Sequence, residues 1–271
     1  MTRLKFDITG FKQITHKKLL ANSWIALVGP PGCFKSILCI SEAEALIRGK
    51  NTKVIFVTTE AGKEDVITQA RTIGFDWDKR IENNELFIID TEGYRFNNGE
   101  LIPIDGLKER MDGSNMSSGE KGKDLIDLQT LTDAILVVRR RWDVSDPCLL
   151  IIDSVATLWD SAPAMSRKYF RFIRRRLKVW FSLVIVTSQL AVGTKMAFGF
   201  GVEHGADGII RVGKYFESGE MKHWILCDKL RGIAFQKNLF GIIVDNTGPI
   251  VTDRIPMRGR YMTVYDAFSG E

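Results

Sequence analysis

Lys35 and Ser36 follow directly on Gly29-Pro30-Pro31-Gly32-Cys33-Phe34. A glycine-bearing turn that runs into a helix presents backbone N–H groups and a helix N-terminus to a polyphosphate. In such a loop Lys35 reaches the β- and γ-phosphates, and the Ser36 hydroxyl holds Mg²⁺. The usual pattern is G-x-x-x-x-G-K-[ST], and Phe34 stands where it has glycine. If that position needs a positive φ, a bulky side chain costs about 1–2 kcal/mol. It would also crowd the phosphates. The expected nucleotide-binding set is Gly29, Gly32, Cys33, Phe34, Lys35, Ser36 and Asp153, with Ser36 and Asp153 on the metal.

Other polar residues fall at the ends of apolar runs. Thr58-Thr59-Glu60 follows KVIFV, Asp153-Ser154 follows LLII, and Thr187-Ser188-Gln189 follows LVIV. In a parallel sheet such ends share one rim, where α/β folds bind ligands. Asp153 suits Mg²⁺ coordination, direct or through water. Glu60 suits the activation of an attacking water, and the Gln189 amide suits sensing of a γ-phosphate. Each also reads as an ordinary surface acid or strand-end cap. Lys229 and Arg231, one residue apart after an apolar run, suit a finger that stabilises phosphoryl charge in a neighbouring subunit. A solvated sheet edge explains the same pair.

The elements that must position these residues alternate. Strands are predicted at Trp24–Val28, Lys53–Thr58, Leu86–Asp90, Leu149–Asp153 and Leu183–Thr187. Helices are predicted at Lys35–Arg48, Lys63–Ile73, Asp124–Trp142 and Pro163–Phe181. The central strands are continuously apolar, as when both faces of a sheet are covered. Alternating β-α-β units imply a mostly parallel sheet flanked by helices. Gly208–Val212, Lys222–Lys229 and Leu239–Val244 read as antiparallel strands extending one edge. No linker divides the chain, so residues 1–271 are expected to form a single domain, with 1–22 as an N-terminal segment. Thr91–Lys123 reads as a mobile insertion, or as a lid or partner-binding loop.

Composition sets the outer bounds. The 271 residues are 45% hydrophobic, with 38 basic against 33 acidic residues and a net charge of +5. That supports a sizeable core and excludes global disorder. Four cysteines without a C-x-x-C pair suggest reduced, buried thiols. There is no apolar run of membrane-spanning length and no signal-peptide pattern, so a soluble cytoplasmic protein is expected, with no membrane partner. Arg167–Lys178 concentrates cations on a predicted helix with Phe170, Ile173, Leu177 and Trp180 on its buried side. A solvated outer face accounts for it, as does a phosphate-tracking or partner-docking surface. Phe198 and Phe200 are aromatic candidates for stacking on single-stranded bases.

WIALVGPPGCFKS, KVIFVTTE, LLIIDSVATLW, LVIVTSQ, AFGFGVEHGADGIIRV and ILCDKLRG occur in that order. Together they resemble the RecA/KaiC/RadA ATPase superfamily, and more closely the archaeal RadA paralogues with a single KaiC-like domain. The resemblance covers about Trp24 to Val251. It implies a RecA-like core that binds ATP and Mg²⁺. It implies Glu60 as catalytic acid, Asp153 as the Walker B aspartate and Gln189 as the γ-phosphate sensor. Lys229 and Arg231 match the K-x-R pair that crosses a KaiC-type subunit interface. It further implies a homo-oligomeric ring or filament with ATP between subunits. The segment from Phe198 to Gly208 would follow the loops that line a DNA channel in recombinases.

Besides Phe34, two features depart from the family. Ala61 stands where KaiC-like proteins often carry a second glutamate. The segment Thr9–Ser23 lacks the usual Gly-Gly-Ile-Pro-type turn, and no helix-hairpin-helix domain is evident at the N-terminus, which argues against a full strand-exchange recombinase. The resulting expectation is an ATP-binding accessory factor of DNA recombination and repair, with weak hydrolysis or none. Its partners would be a recombinase and single-stranded DNA. The alternative is a non-enzymatic KaiC-like regulator or assembly factor that binds nucleotide structurally and works through protein contacts.

Overall fold

A computed structural model describes residues 3–4, 19–20, 22–104, 123–160, 162–190, 201–232 and 234–256. The N-terminal segment contributes an antiparallel pair, β1 (Arg3–Leu4) with β2 (Leu19–Leu20). The core follows as β3 (Ser23–Val28), α1 (Lys35–Lys50), β4 (Lys53–Thr58), α2 (Lys63–Thr72), α3 (Trp77–Glu82) and β5 (Leu86–Asp90). A small side sheet comprises β6 (Tyr94–Asn97), β7 (Glu100–Pro103) and β8 (Lys123–Asp124). Next come α4 (Leu128–Arg139), β9 (Cys148–Asp153), α5 (Ser166–Leu177), β10 (Leu183–Ser188) and the short α6 (Val202–Gly205). The C-terminal strands are β11 (Gly208–Glu217), β12 (Glu220–Leu230), β13 (Phe240–Asp245) and β14 (Gly248–Arg254).

The main sheet has nine strands in the order β14-β13-β12-β11-β3-β10-β9-β4-β5. From β11 to β5 every neighbouring pair is parallel, and β11 to β14 pair antiparallel. This is the predicted parallel core with an antiparallel edge. Alternate residues of the apolar strands bury on opposite faces. Ile25, Leu27, Val54, Phe56 and Ile151 pack with residues of α1 and α2. Trp24, Ala26, Val57, Ile152 and Val186 pack with residues of α4 and α5. Trp24 meets Phe170 of α5 edge to face at 5.5 Å. Removing such apolar side chains from water is the main stabilising term. All four cysteines are free and buried. No helix among the described residues is long and apolar enough to cross a membrane.

Two differences from the sequence reading have local causes. The helix predicted over Asp124–Trp142 starts only at Leu128, because the Asp127 carboxylate accepts from Thr130 N at 2.8 Å and caps it there. Thr91–Lys123 is not loose throughout. Tyr94–Asn97 and Glu100–Pro103 form a hairpin whose turn residues Asn98 and Gly99 have φ of 48° and 85°. The remainder, 105–122, lies outside the described residues. Arg139 closes α4 and, unlike an ordinary helix-end cation, is 2% exposed. Its guanidinium donates to the carbonyls of Trp180, Trp142, Asp143, Val144 and Asp146. It thereby ties the loop after α4 to the end of α5.

Candidate nucleotide site

The C-terminal ends of β3, β4, β9 and β10 bring Gly29, Glu60, Asp153 and Gln189 to one rim. β3 runs straight into the loop. Gly29 N donates to Ser188 O of β10 at 3.3 Å. A Cβ on Gly29 would lie 2.4 Å from Val212 O of β11, so only glycine fits there. Gly32 has open space around it but a φ of 73°, so the requirement there is conformational.

Phe34 is the N-cap of α1, with φ 63° and ψ 18°. The loop does place its sixth residue in the left-handed region, where the usual pattern has glycine. The Phe34 ring packs against the C-terminal strands. Its centroid is 4.3 Å from that of His223 on β12, tilted by 44°. Nε2 of His223 in turn lies 3.1 Å from Gly32 O, and Lys214 Nζ donates to Pro31 O at 3.5 Å. The β11–β12 hairpin thus clasps the outer side of the loop. Burial lowers the pKa of His223, partly opposed by its bond to Gly32 and helped by the Lys214 charge. Beside this clasp a groove of about 660 Å³ is lined by Phe34, Tyr215, Lys222, His223, Val244 and Thr252.

Lys35 Nζ donates to Gly29 O at 3.0 Å and to Pro30 O at 2.8 Å, folding the side chain back over the loop. Burial lowers its pKa, while Cys33, Asp153 and Glu60 favour the charged form. Cys33 is buried under the loop and its thiol is pushed up by that burial. It is a packing residue. Ser36 is half-buried in the first turn of α1. Asp153 is half-buried at the end of β9 and accepts from the Thr187 hydroxyl. A hydroxyl and a carboxylate are the hard oxygen donors that Mg²⁺ takes alongside phosphate oxygens. The residues present therefore fit a Mg²⁺–nucleotide.

Glu60 is exposed, and Gln189 Nε2 donates to both its carboxylate oxygens, at 3.4 and 3.3 Å. Behind it, Thr59 locks the rim. Its Oγ1 donates to Ser154 O at 2.8 Å, accepts from Ser154 N at 2.9 Å and meets Thr157 Oγ1 at 3.0 Å. The Asp153–Ser154 peptide is cis. Asp90, the carboxylate ending β5, is consumed structurally by the N–H groups of Lys63, Glu92 and Gly93.

Lys229 and Arg231 are not brought to this rim. Register pairs Lys229 with Ile209, and Ile209 with Ala26. Lys229 is therefore three strand residues below Gly29, roughly 10 Å at ~3.3 Å per residue, and two strands aside. Its Nζ donates to Glu203 O at 2.9 Å and Ala206 O at 2.8 Å, and Arg231 donates to His204 O at 3.3 Å. Burial, then the Arg231 charge, lowers the pKa of Lys229. Both cations hold the C-terminal carbonyls of α6. Gly201–Gly208 of the distinctive glycine-rich run is described, while Phe198 and Phe200 lie outside the described residues.

The sequence reading placed Thr59 and Thr187 at the rim but gave them no role of their own, and it missed Lys214 and His223. The two threonines had a signal, since both end apolar strands beside site residues. The other two act through long-range contacts that no local pattern announces.

A mostly parallel sheet whose rim carries a glycine loop, a Lys-Ser pair and a strand-end aspartate is the arrangement of a RecA-like core. Residues 4–254 match the family model described as "ATPase: KaiC", and the chain belongs to that family. It is 28% identical over 252 residues to a UPF0273 protein of Methanocaldococcus jannaschii, covering 93% of this chain and 96% of that protein. A UPF0273 protein of Pyrococcus furiosus is 27% identical over 259 residues, covering 95% and 97%. The circadian clock oscillator protein KaiC of a Picosynechococcus species is 24% identical over 250 residues, which span 91% of this chain and 43% of that protein.

Proposed function

We propose that this protein binds MgATP in the loop Gly29–Ser36 and hydrolyses it slowly, at a site that a second copy completes in a ring or filament. One observation carries the reading. The rim assembles Lys35, Ser36, Glu60, Asp153 and Gln189, while Lys229 sits about 10 Å lower on the sheet and Arg231 just past the end of β12, lower still. Only another subunit would bring that pair to a γ-phosphate.

The residues divide the work. Loop amides and Lys35 bind the β- and γ-phosphates, with Lys35 exchanging its carbonyl partners for phosphate oxygens. Ser36 and Asp153 hold Mg²⁺, which neutralises developing charge when bound. Glu60 accepts a proton from the attacking water, and Gln189 positions it against the γ-phosphate. Phosphoryl transfer depends on positioning and charge, so the single carboxylate beside Ala61 favours slow turnover.

In the cell this site would serve an accessory factor of DNA recombination and repair, in the cytoplasm, with a recombinase and single-stranded DNA as partners. The match to the RecA/KaiC/RadA pattern and the cation-rich α5 support that part. A second reading, a regulator that uses nucleotide only structurally, is favoured by the same Ala61. Calorimetry with MgATP tests the core of the proposal, with Lys35→Ala as control. Heat with the wild type and none with the variant is expected. Absence of heat in both would refute it.

A further inference from the structure

Five exposed cations lie on α5 and its C-cap: Arg167, Lys168, Arg171, Arg175 and Lys178. None makes an ion pair with a described residue. Arg174 and Arg176 of the same helix, by contrast, are neutralised by Asp207 and Asp133. At 3.6 residues per turn the five fall within an arc of about 100°. Arg167, Arg171 and Arg175 follow one another at about 6 Å along the axis, and the row to Lys178 is about 16 Å long.

This placement works against the helix. Arg167 and Lys168 occupy the first turn, where the macrodipole is already positive. The pairs Arg167/Arg171 and Arg171/Arg175 repel at i,i+4 spacing. Glu64 and Asp65 open α2 and Asp78 opens α3, whereas α5, like α1 and α4, opens with no acid. A bound polyanion would relieve both conflicts.

The chemistry narrows the partner. The apolar side of α5 (Phe170, Ile173 and Leu177) is buried in the core, so no apolar face remains to enter a bilayer. Three of the five cations are arginines, whose planar fork pairs with phosphate oxygens. Next to the row, Lys168, Tyr169 and Phe172 line one side of a hollow of about 500 Å³, whose other side carries Leu128, Gln129 and the carboxylates Asp124 and Asp127. That is room for an unstacked base against an aromatic ring, which a duplex does not offer.

We propose that the outer face of α5 is a track for the backbone of a single-stranded nucleic acid, with Tyr169 as a stacking platform at its N-terminal end. The inference deepens the reading above and rests on its choice of a nucleic-acid partner. It locates that partner on the helix following β9.

The test is anisotropy of a labelled oligothymidylate across a salt series, with MgATP calorimetry on the same samples. For five phosphate contacts, log K should fall against log salt with a slope of about −3.5. Arg171→Ala with Arg175→Ala should flatten the slope by about 1.4. Tyr169→Leu should weaken binding about tenfold and leave the slope unchanged. Arg171 and Arg175 are exposed on the outer face and Tyr169 is half-buried at its flank, so unchanged MgATP heat is the check that the variants are folded. If the double variant binds like wild type, the track is wrong and the nucleic acid lies elsewhere. If wild type ignores the oligonucleotide at about 50 mM salt, or binds phosphatidylserine vesicles instead, the track is also wrong. In every case the calorimetry separately decides the nucleotide reading.

Discussion

The ring of Phe34 rests 4.3 Å from the ring of His223, and the same imidazole lies 3.1 Å from Gly32 O. The residue that departs from the phosphate-loop pattern is therefore anchored to the hairpin that clasps the loop. Its backbone keeps the left-handed conformation, at φ 63°. Two opposing terms result, a conformational penalty and a packing gain of similar size. Phe34→Gly removes both and should change stability by less than about 1 kcal/mol. Phe34→Val keeps the penalty, aggravates it by β-branching and loses the ring contact. It should cost about 2 kcal/mol or more. Urea unfolding of the two variants checks the pair, and equal losses would contradict the account.

The clasp should also respond to pH. Burial holds His223 below its ordinary value of 6.5. A histidine harder to protonate folded than unfolded lets the unfolded chain take up the proton first. Its contribution to stability is therefore full above pH 6.5 and is lost as pH falls through that value toward the lower folded one. Wild type should lose stability relative to His223→Gln between pH 7.5 and pH 5. Denaturant midpoints at a series of pH values measure this, and a constant difference would count against a lowered His223 pKa.

Arg139 offers a test remote from the rim. Its guanidinium is nearly inaccessible and serves five carbonyls at the junction of α4, β9 and α5. Arg139→Met would leave those acceptors, one fully buried and four partly so, without their donor. The expected loss is about 3–5 kcal/mol. Arg139→Lys should recover only part of it, because one ammonium cannot span all five oxygens. Thermal unfolding that leaves either variant at the wild-type midpoint would overturn this role.

Much of the architecture was legible because the strands bury both faces and so read as unbroken apolar runs ending in polar residues. Asp153 after CLLII and Gln189 after LVIVTS are examples. Their meeting at one rim follows from parallel pairing alone. Less was legible where the signal was local chemistry of a different kind. Asn98-Gly99 was a hairpin turn signal in a segment that looked merely polar. Asp127 marked the start of α4 as a cap, yet helical periodicity pointed further upstream. The fate of Phe34 could not be read at all, since the outcome depends on His223, a residue far along the chain that register alone brings alongside. Asp90 and Asp153 end similar runs, and only the three N–H groups around Asp90 distinguish a structural cap from a site residue.

The separation of Lys229 from the loop makes the last prediction. In this subunit Lys229 holds Glu203 O and Ala206 O, well below the rim. A finger that acts across an interface can be removed without touching the loop that binds nucleotide. Lys229→Ala should therefore retain MgATP binding and lose hydrolysis by on the order of 10²-fold or more. Lys35→Ala should lose both. Mixed together, the two inactive variants form interfaces in which an intact loop faces an intact finger, so part of the activity should return. Single-turnover hydrolysis across mixing ratios measures this. Recovery that peaks at intermediate ratios fits a site shared between copies. A mixture as inactive as its components would mean that Lys229 acts within its own subunit, as the tether of α6, and that the loop works without a neighbour.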